Sequence, residues 1–261
     1  MKADFGVQTF TVRKAQKRSI RSALLPLVKL GIRSFEIARI KFNDKNAREL
    51  KALVDEQGIE ICSVQVKPKY VFGDPEKIIG FCRTVGCKRV VISMLPFGCI
   101  LGGEDKLYDF LDSLDRTYEL YEQGGVTLAY HHHNWEYITL SSGKTRMQEL
   151  LERTKRIKIV HDTYWTARSG RTPAEQIKEF GDRLLGIHLR DLTFKKHGID
   201  VRSADCAVGD GVIDFEAVLR AAREVGCGYY VIEQKTDRPY TEIEKSFKRL
   251  GEIASRLDAQ E

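Results

Sequence analysis

The feature that most constrains the fold is an alternation of short β-branched segments with amphipathic segments along the whole chain. Eight apolar runs have the length and composition of strands: FGVQTF, SFEIA, EICSVQV, KRVVISM, VTLAYHH, IKIVHDT, LLGIHLR and YYVIEQ. Segments of helical periodicity separate them, and many end in glycine, which favours a helix C-terminus; examples are KNARELKALVDEQG, PEKIIGFCRTVG and DFEAVLRAAREVG. Successive strands lie about 27 to 45 residues apart, which is the length of a βα unit with variable loops.

This strict alternation predicts parallel strands with helices outside them, and the simplest closure is an α/β (β/α)₈ TIM barrel. We expect a single domain over residues 1–261, because no linker or change of composition divides the chain. The alternative is a doubly wound open sheet, but no glycine-rich dinucleotide loop follows the first predicted strand.

The composition excludes several protein classes. The chain has 261 residues and is 42% hydrophobic, so it can bury a large core but contains no run of about 18 apolar residues. Without a signal-peptide pattern we expect a cytoplasmic protein that does not bind membranes. Six cysteines without a CxxC pair indicate reduced thiols. The net charge of +6 arises from interspersed acidic and basic residues, which slightly favours a phosphorylated or carboxylated substrate and does not indicate nucleic-acid binding.

The last four predicted strands all end in ionisable residues, and in barrels of this class the chemistry lies at the C-terminal ends of the strands. The fifth strand ends in three consecutive histidines with Glu136 just beyond them. The sixth, seventh and eighth end in Asp162, His188 and Glu233. Four neighbouring strands are therefore predicted to direct polar donors to one place.

Strand alternation indicates which of these side chains can meet. In VTLAYHHH, Val126 and Leu128 share one face with His132. We expect this bulkier face to pack against the helices, so that His131 and His133 point into the barrel. The same alternation directs the ionisable residues of the sixth, seventh and eighth strands inward.

This mixture of carboxylates and imidazole suits a hard or borderline divalent cation, because carboxylates cancel charge while coordination positions stay open. We predict Glu136, Asp162, His188 and Glu233 as ligands of one divalent metal, Mn²⁺ or Zn²⁺, with Co²⁺ and Mg²⁺ as further candidates. His133 is either a ligand in place of Glu136 or a general acid/base, since an unperturbed imidazole titrates at about pH 6.5. Taken singly, each of these residues is better explained by a buried ion pair or by a carboxylate at the rim, and only the four together favour a metal site.

At these residues the chain resembles the sugar phosphate isomerase/epimerase family, the xylose isomerase-like TIM barrels that also include inosose dehydratase and endonuclease IV. The motifs that carry the resemblance follow one another in the family's order: YHHHNWEY, HDTYW, GIHLRD, VGDGVIDF, VIEQ and SFKRLGEI. The resemblance covers nearly the whole chain and implies a divalent metal held by carboxylates and one histidine. These would be the fifth-strand site, Asp162, His188 and Glu233.

Three departures from the family pattern concern the site. The epimerases place their first metal-binding glutamate within the fifth strand, whereas the nearest carboxylate here is Glu136. Lys235 stands where an aspartate commonly follows the last strand, and Arg190 replaces a lysine. Lys235 could favour an anionic substrate or simply be a solvated lysine at the rim.

The residues that we predict to contact substrate lie at strand ends or beside the ligand set: Gln8, Glu36, His131, Trp135, Trp165, Arg190 and Lys235. Gln8 and Glu36 end early strands and could bind sugar hydroxyls, although Glu36 could instead pair with a basic neighbour. The two tryptophans could stack on a sugar face or pack under the loops.

We therefore predict a metal-dependent isomerase or epimerase that acts on a keto sugar, polyol or sugar derivative. A cation that binds two vicinal substrate oxygens would stabilise the enediolate formed when a base removes the proton next to the carbonyl. Glu233 or His133 would be that base, and the other group, or Glu136, would return the proton. Loss of a leaving group would instead make the enzyme a dehydratase or lyase, for example on a keto-inositol or a 3-keto-glycoside.

Two other functions compete with this prediction. An endonuclease IV-like nuclease needs more metal ligands on the early strands, which here end in Gln8, Glu36 and Gln65, and a basic surface for DNA. A non-catalytic binding barrel is the other. Homodimer formation is compatible with the resemblance, because such barrels often pair.

Overall fold

Eight parallel strands close into a barrel, which confirms the predicted fold class. The computed structural model describes residues 4–197 and 200–260. The barrel strands are β1 (Phe5–Gln8), β2 (Ser34–Ile37), β3 (Glu60–Val66), β4 (Arg89–Ile92), β5 (Thr127–His131), β6 (Lys158–Asp162), β7 (Leu184–Leu189) and β10 (Tyr230–Ile232). They are hydrogen-bonded in the order β1-β10-β7-β6-β5-β4-β3-β2. The eight predicted strands are these eight.

Helices connect the strands and cover the outside of the barrel. They are α1 (Arg13–Gln16), α2 (Ile20–Lys29), α3 (Asp44–Gln57), α4 (Pro68–Gly73), α5 (Pro75–Val85), α6 (Phe97–Leu101), α7 (Glu104–Gln123), α8 (Arg146–Arg153), α9 (Thr163–Arg168), α10 (Pro173–Phe180), α11 (Phe215–Glu224) and α12 (Pro239–Asp258). Helices α3 and α5 end at Gly58 and Gly86 in the left-handed conformation, as their sequences predict. None of the described helices could cross a membrane.

A two-stranded antiparallel hairpin interrupts the alternation between β7 and the last barrel strand. It consists of β8 (Asp191–His197) and β9 (Asp200–Cys206). The sequence analysis predicts no strands here, because both are rich in charged residues and lack the apolar run of a buried barrel strand. The hairpin matters for function because its last residues reach the cavity described below.

The register of the barrel brings the predicted site residues to one level. Asp162 pairs with His188 across β6 and β7. His188 pairs with Val231 of β10, so Glu233 follows two residues beyond. A small apolar cluster fills the barrel below this level, comprising Cys62, Val91, Ala129, Val160, Tyr229 and Val231. The site therefore lies on a packed floor.

Gly186 makes room for the largest side chain of this floor. A Cβ atom at Gly186 would lie 2.3 Å from the ring of Tyr229, so only glycine lets that ring occupy the barrel interior. The Tyr229 hydroxyl reaches upward and donates a hydrogen bond to Glu36 at 2.9 Å. A glycine on β7 thus controls the position of a carboxylate on β2.

Candidate active site

Four buried side chains converge at the C-terminal ends of adjacent strands. Each of His131, Asp162, His188 and Glu233 offers one ligand atom, and these atoms lie within 4.8 Å of one another. Three of them are the predicted ligands of the sixth to eighth strands. The fourth is His131, which the sequence analysis predicts as a substrate contact.

His188 lies between two carboxylates. Its Nδ1 is 2.7 Å from Glu233 Oε2, and its Nε2 is 2.8 Å from Glu36 Oε1. Burial alone would lower the pKa of His188, but the charge of Glu36 and the contacts with both carboxylates outweigh it and raise this pKa to about 10. Burial alone would raise the pKa of Glu233, but the contact with His188 and the charge of Arg190 outweigh it and lower this pKa. Glu233 is therefore ionised at neutral pH.

Glu36 is fully buried behind His188 and forms no ion pair with an arginine or lysine among the residues that the structure describes. Its Oε2 accepts hydrogen bonds from Ser63 Oγ at 2.5 Å and from the Tyr229 hydroxyl at 2.9 Å. Its other oxygen, Oε1, faces the imidazole. A carboxylate held in this way orients the ring of a metal-binding histidine.

The two carboxylate oxygens of Asp162 have different roles, because one caps a helix and the other belongs to the cluster. Oδ1 accepts a hydrogen bond from the backbone N–H of Trp165 at 3.1 Å and so caps helix α9. Oδ2 remains in the cluster, 3.4 Å from His131 Nε2. Burial raises the pKa of Asp162, although the charge of Arg190 opposes the rise.

The three consecutive histidines of β5 and the following loop have different surroundings. His131 faces the barrel interior, 4.4 Å from the His188 ring, as the alternation predicts. His132 faces the helices, where its Nε2 accepts a hydrogen bond from the backbone N–H of Asp162 at 3.1 Å and lies 3.1 Å from His161 Nδ1. It therefore supports Asp162 from behind without entering the cluster.

His133 follows the end of β5 and lines the cavity. Its ring packs against Trp165 at 5.1 Å, and its Nδ1 is buried without a hydrogen-bond partner among the described residues. Burial lowers its pKa to about 3, with a further contribution from His131. His133 is thus a neutral imidazole that presents an unused ring nitrogen.

The structure does not bring Glu136 to the cluster. Its Oε1 accepts a hydrogen bond from the Tyr130 hydroxyl, and its Oε2 accepts one from the backbone N–H of His133 at 2.8 Å. Burial raises its pKa. Both oxygens are used because the chain turns into a short 3₁₀ helix at residues 135–137 directly after the strand. Glu136 holds the loop that carries His133.

Arg190 lies between the cluster and the cavity. Its guanidinium makes a bidentate contact with Asp205 of the hairpin, at 2.5 and 3.0 Å. Nη1 remains 3.7 Å from Asp162 and 3.8 Å from Glu233. Two aromatic rings, of Tyr164 and Trp165, stack on it at 4.3 and 5.1 Å. This buried cation is preorganised to contact an oxygen held above the cluster.

A cavity of about 1180 Å³ opens above these residues. Of the predicted substrate contacts, His131, Trp165, Arg190 and Lys235 line it. Gln8 lies below, with its amide bonded to Gln65 and to the backbone of the first loop.

Trp135 and the motif VGDGVIDF lie outside this cavity. Trp135 is 39% exposed on the 3₁₀ helix. In the motif, the N–H groups of Gly209 and Gly211 are bound by the Asp191 carboxylate at 2.8 and 2.9 Å. The motif is therefore a structural turn held by Asp191.

Sequence reasoning missed Asp205, because the hairpin was not predicted. It also missed the pairing of Glu36 with His188, which needs the closed barrel. A partial signal for the first existed in the alternating apolar and polar residues of LTFK, residues 192–195, because such alternation is typical of a half-exposed strand.

The donor set fits a divalent cation. The nitrogens of His188 lie at contact distance from Glu36 Oε1 and Glu233 Oε2, yet none of these four atoms has a partner in hydrogen-bond geometry among the described residues. Buried polar atoms are rarely left in this state. Two imidazoles and two carboxylates are a mixed donor set that borderline divalent ions accept.

Comparison with known proteins agrees with the observed fold. Residues 25–253 match the model of a family described as "Xylose isomerase-like TIM barrel". An inosose dehydratase of Geobacillus kaustophilus (strain HTA426) is 23% identical, and the match covers 84% of this chain and 82% of that protein.

Two solved structures share the fold. A sugar phosphate isomerase/epimerase from Parabacteroides distasonis ATCC 8503 superimposes with a TM-score of 0.79 at 20% identity, covering 96% of this chain and 94% of the other. IOLI protein with a bound zinc atom has a TM-score of 0.70 at 18% identity, covering 98% and 99%. These structures confirm the fold, and the family match spans most of the chain. The protein therefore belongs to the xylose isomerase-like TIM barrel family, as its motifs predict.

Proposed function

We propose that this protein is a metal-dependent enzyme that isomerises or epimerises a keto sugar or polyol derivative by moving the proton next to a carbonyl. The observation that carries the proposal is the cluster of His131, Asp162, His188 and Glu233 beneath an open cavity. An isolated buried cluster would be explained by ion pairing alone. One that opens to a cavity beside an unused imidazole and a buried guanidinium has the parts of an active site.

The proposed metal ligands are these four residues, with His131 in the place that the sequence analysis gave to Glu136. A divalent ion held there, Mn²⁺ or Zn²⁺ by preference, would polarise a substrate carbonyl and stabilise negative charge on its oxygen. Zinc in the IOLI protein, a neighbour of the same fold, supports this choice. Nδ1 of His188 is the ligand atom, because it faces Glu233 while Nε2 faces Glu36.

Glu233 is the proposed base. It is ionised at neutral pH, and its Oε1 lies away from His188, 3.8 Å from the Arg190 guanidinium. Oε1 can therefore accept a proton from a carbon atom of the substrate while Oε2 remains beside His188. Arg190 would then donate hydrogen bonds to the oxygen that gains charge.

His133 is the proposed partner on the other side of the reacting carbon. It is neutral at pH 7, lines the cavity and has an unused Nδ1. An imidazole in this state can take up a proton from a substrate hydroxyl at Nδ1 and then pass that proton to carbon. Return to the opposite face of the same carbon gives an epimer, and return to the neighbouring carbon gives an isomer.

Dehydration is the second candidate, and the similarity to an inosose dehydratase favours it specifically. The same proton abstraction by Glu233 would begin the reaction. The C–O bond on the next carbon would then break, and the hydroxyl would leave as water with a proton that His133 has taken up from solvent, while Glu233 releases the abstracted proton to solvent.

Proton NMR in D₂O with Mn²⁺ and a panel of ketoses and inososes tests both candidates. Exchange of the proton next to the carbonyl is expected for at least one substrate, and loss of water identifies the dehydratase. Glu233→Gln should abolish exchange. Glu149→Gln removes a buried carboxylate that pairs with Arg153 far from the cavity, and it should leave exchange intact. Absence of both exchange and dehydration with every metal and substrate would refute the proposal.

A further inference from the structure

The wall of the cavity carries positive charge that the protein does not neutralise. Eight basic side chains line it against three acidic ones. Each of the three acidic residues already has a partner: Asp205 binds Arg190, Glu233 faces His188, and Asp237 pairs with Lys14 at 2.6 Å. Apart from Arg190, none of the basic lining residues forms an ion pair with a carboxylate in the described part of the chain.

Two of these cations share a single aromatic ring. The guanidinium carbon of Arg13 lies 4.1 Å from the centre of the Phe10 ring, and that of Arg39 lies 5.3 Å from the same point. Asp237, already bound to Lys14, also feels the charge of Arg13, but Arg39 has no acidic partner among the described residues. Arg13 Nη1 also donates a hydrogen bond to the Phe10 carbonyl at 3.0 Å. Stacking on a ring fixes a guanidinium while leaving its remaining N–H groups free to bind oxygen atoms.

The backbone holds Arg39 in an unfavourable conformation. Its φ of 61° is the only positive value at a residue other than glycine in the described chain. The preceding residue is fixed, because the N–H of Ala38 donates to Thr9 Oγ1 at 2.8 Å and its carbonyl accepts from Gln16 at 2.7 Å. The loops after β1 and β2 are thus locked together, and they present Arg39 beside Arg13. Such strain at a residue with a side chain is characteristic of functional positions.

We propose that Arg13 and Arg39 form an anion-binding subsite at the rim of the cavity, and that the substrate carries a phosphate ester or a carboxylate. This inference rests on the proposed function and specifies its substrate class. Two guanidinium groups that form no ion pair with a described carboxylate match the oxygens of a doubly charged phosphate, and a carboxylate uses the same fork geometry. The other unpaired cations of the wall, including Lys67, Lys195 and Lys235, would attract the anion before it docks.

Calorimetric titration tests the subsite with matched ligand pairs. The probes are D-xylulose 5-phosphate against D-xylulose, D-glucuronate against D-glucose, and inorganic phosphate alone, with the manganese-loaded protein in low salt. We expect the charged member of at least one pair to bind at least tenfold more tightly than its neutral partner. The pair that shows the larger preference identifies the anion as phosphate or carboxylate.

Variants assign the preference to the two arginines. Arg13→Gln combined with Arg39→Gln should remove it, whereas Arg48→Gln, an exposed arginine of α3 without an ion pair in the described chain, should keep it. Arg39→Gly should weaken binding of the charged probe at least fivefold while raising the melting temperature, because glycine accepts the left-handed backbone. This variant keeps the test valid even if the double variant folds poorly.

Equal binding of charged and neutral probes would overturn the proposal, and so would a preference that survives in Arg39→Gly and in the double variant. Proton exchange by the wild-type protein tests the proposed function separately. Charge-selective binding without exchange would support the subsite and refute the chemistry. Exchange without charge selectivity would do the reverse.

Discussion

Replacing Glu36 by glutamine tests whether a carboxylate outside the metal cluster controls the metal site. In the protein, Glu36 Oε2 accepts two hydroxyl hydrogen bonds while Oε1 lies 2.8 Å from His188 Nε2. A carboxylate at that distance keeps a proton on Nε2, so Nδ1 is the nitrogen whose proton a metal ion would displace. An amide has oxygen on one branch only, so Glu36→Gln cannot accept at both positions. If the two hydroxyls retain the oxygen, the NH₂ group faces Nε2 and drives the proton to Nδ1, where it blocks the ligand atom.

The expected loss of metal affinity is about 10- to 100-fold, the usual effect of removing the carboxylate that orients a metal-binding histidine. The metal-free protein should also lose stability. Breaking a buried ion pair costs about 3–5 kcal/mol, but Glu233 still faces the other nitrogen at 2.7 Å, so a loss of about 2 kcal/mol is more consistent with this geometry. For a chain of this size that corresponds to a melting temperature lower by about 4–8 °C.

Titration calorimetry with Mn²⁺ and Zn²⁺ measures the affinity, and thermal denaturation with and without EDTA measures the stability. Glu149→Gln is the matched control, because it also removes a buried, paired carboxylate and should lower only the melting temperature. If Glu36→Gln binds both metals as tightly as the wild type, Glu36 does not orient His188 and the assignment of Nδ1 as ligand is refuted.

Three further outcomes follow from the geometry. His133→Ala should keep its metal and lose about 10²–10⁴-fold in turnover, whereas His132→Ala should mainly lower thermal stability; equal losses of turnover, measured with metal content, would mean that β5 faces the other way. Asp205→Asn should lower kcat about tenfold or more without changing metal content, because Arg190 loses one of its two hydrogen bonds to residue 205 and is held less firmly above the cluster. Unchanged steady-state kinetics would contradict this role. Gly186→Ala should destabilise the fold by about 1–3 kcal/mol through overpacking, while Gly80→Ala, in a helix with open space around it, should not; chemical denaturation compares the two.

The sequence by itself determined the barrel and most of the cluster. Repeated alternation of strand and helix leaves few closures other than a (β/α)₈ barrel, and side chains must alternate between the two faces of a strand. For that reason Asp162, His188 and Glu233 could be placed together, and His131 and His132 could be assigned to opposite faces, before any coordinates.

Only the tertiary structure decided which donor completes the cluster and what surrounds it. Glu136 and His131 are both near the end of β5, but hydrogen bonds from Tyr130 and His133 occupy Glu136 and leave His131 beside His188. The sequence contains both residues without indicating which one is already bonded.

The contacts of Glu36 with His188 and of Arg39 with Phe10 likewise join residues of different strands and loops. Local periodicity specifies the face on which a side chain lies, but a distance between segments depends on barrel closure, register and loop paths. Those are set by the packing of the whole chain, which is why the ion pairs and the basic rim became visible only in the folded protein.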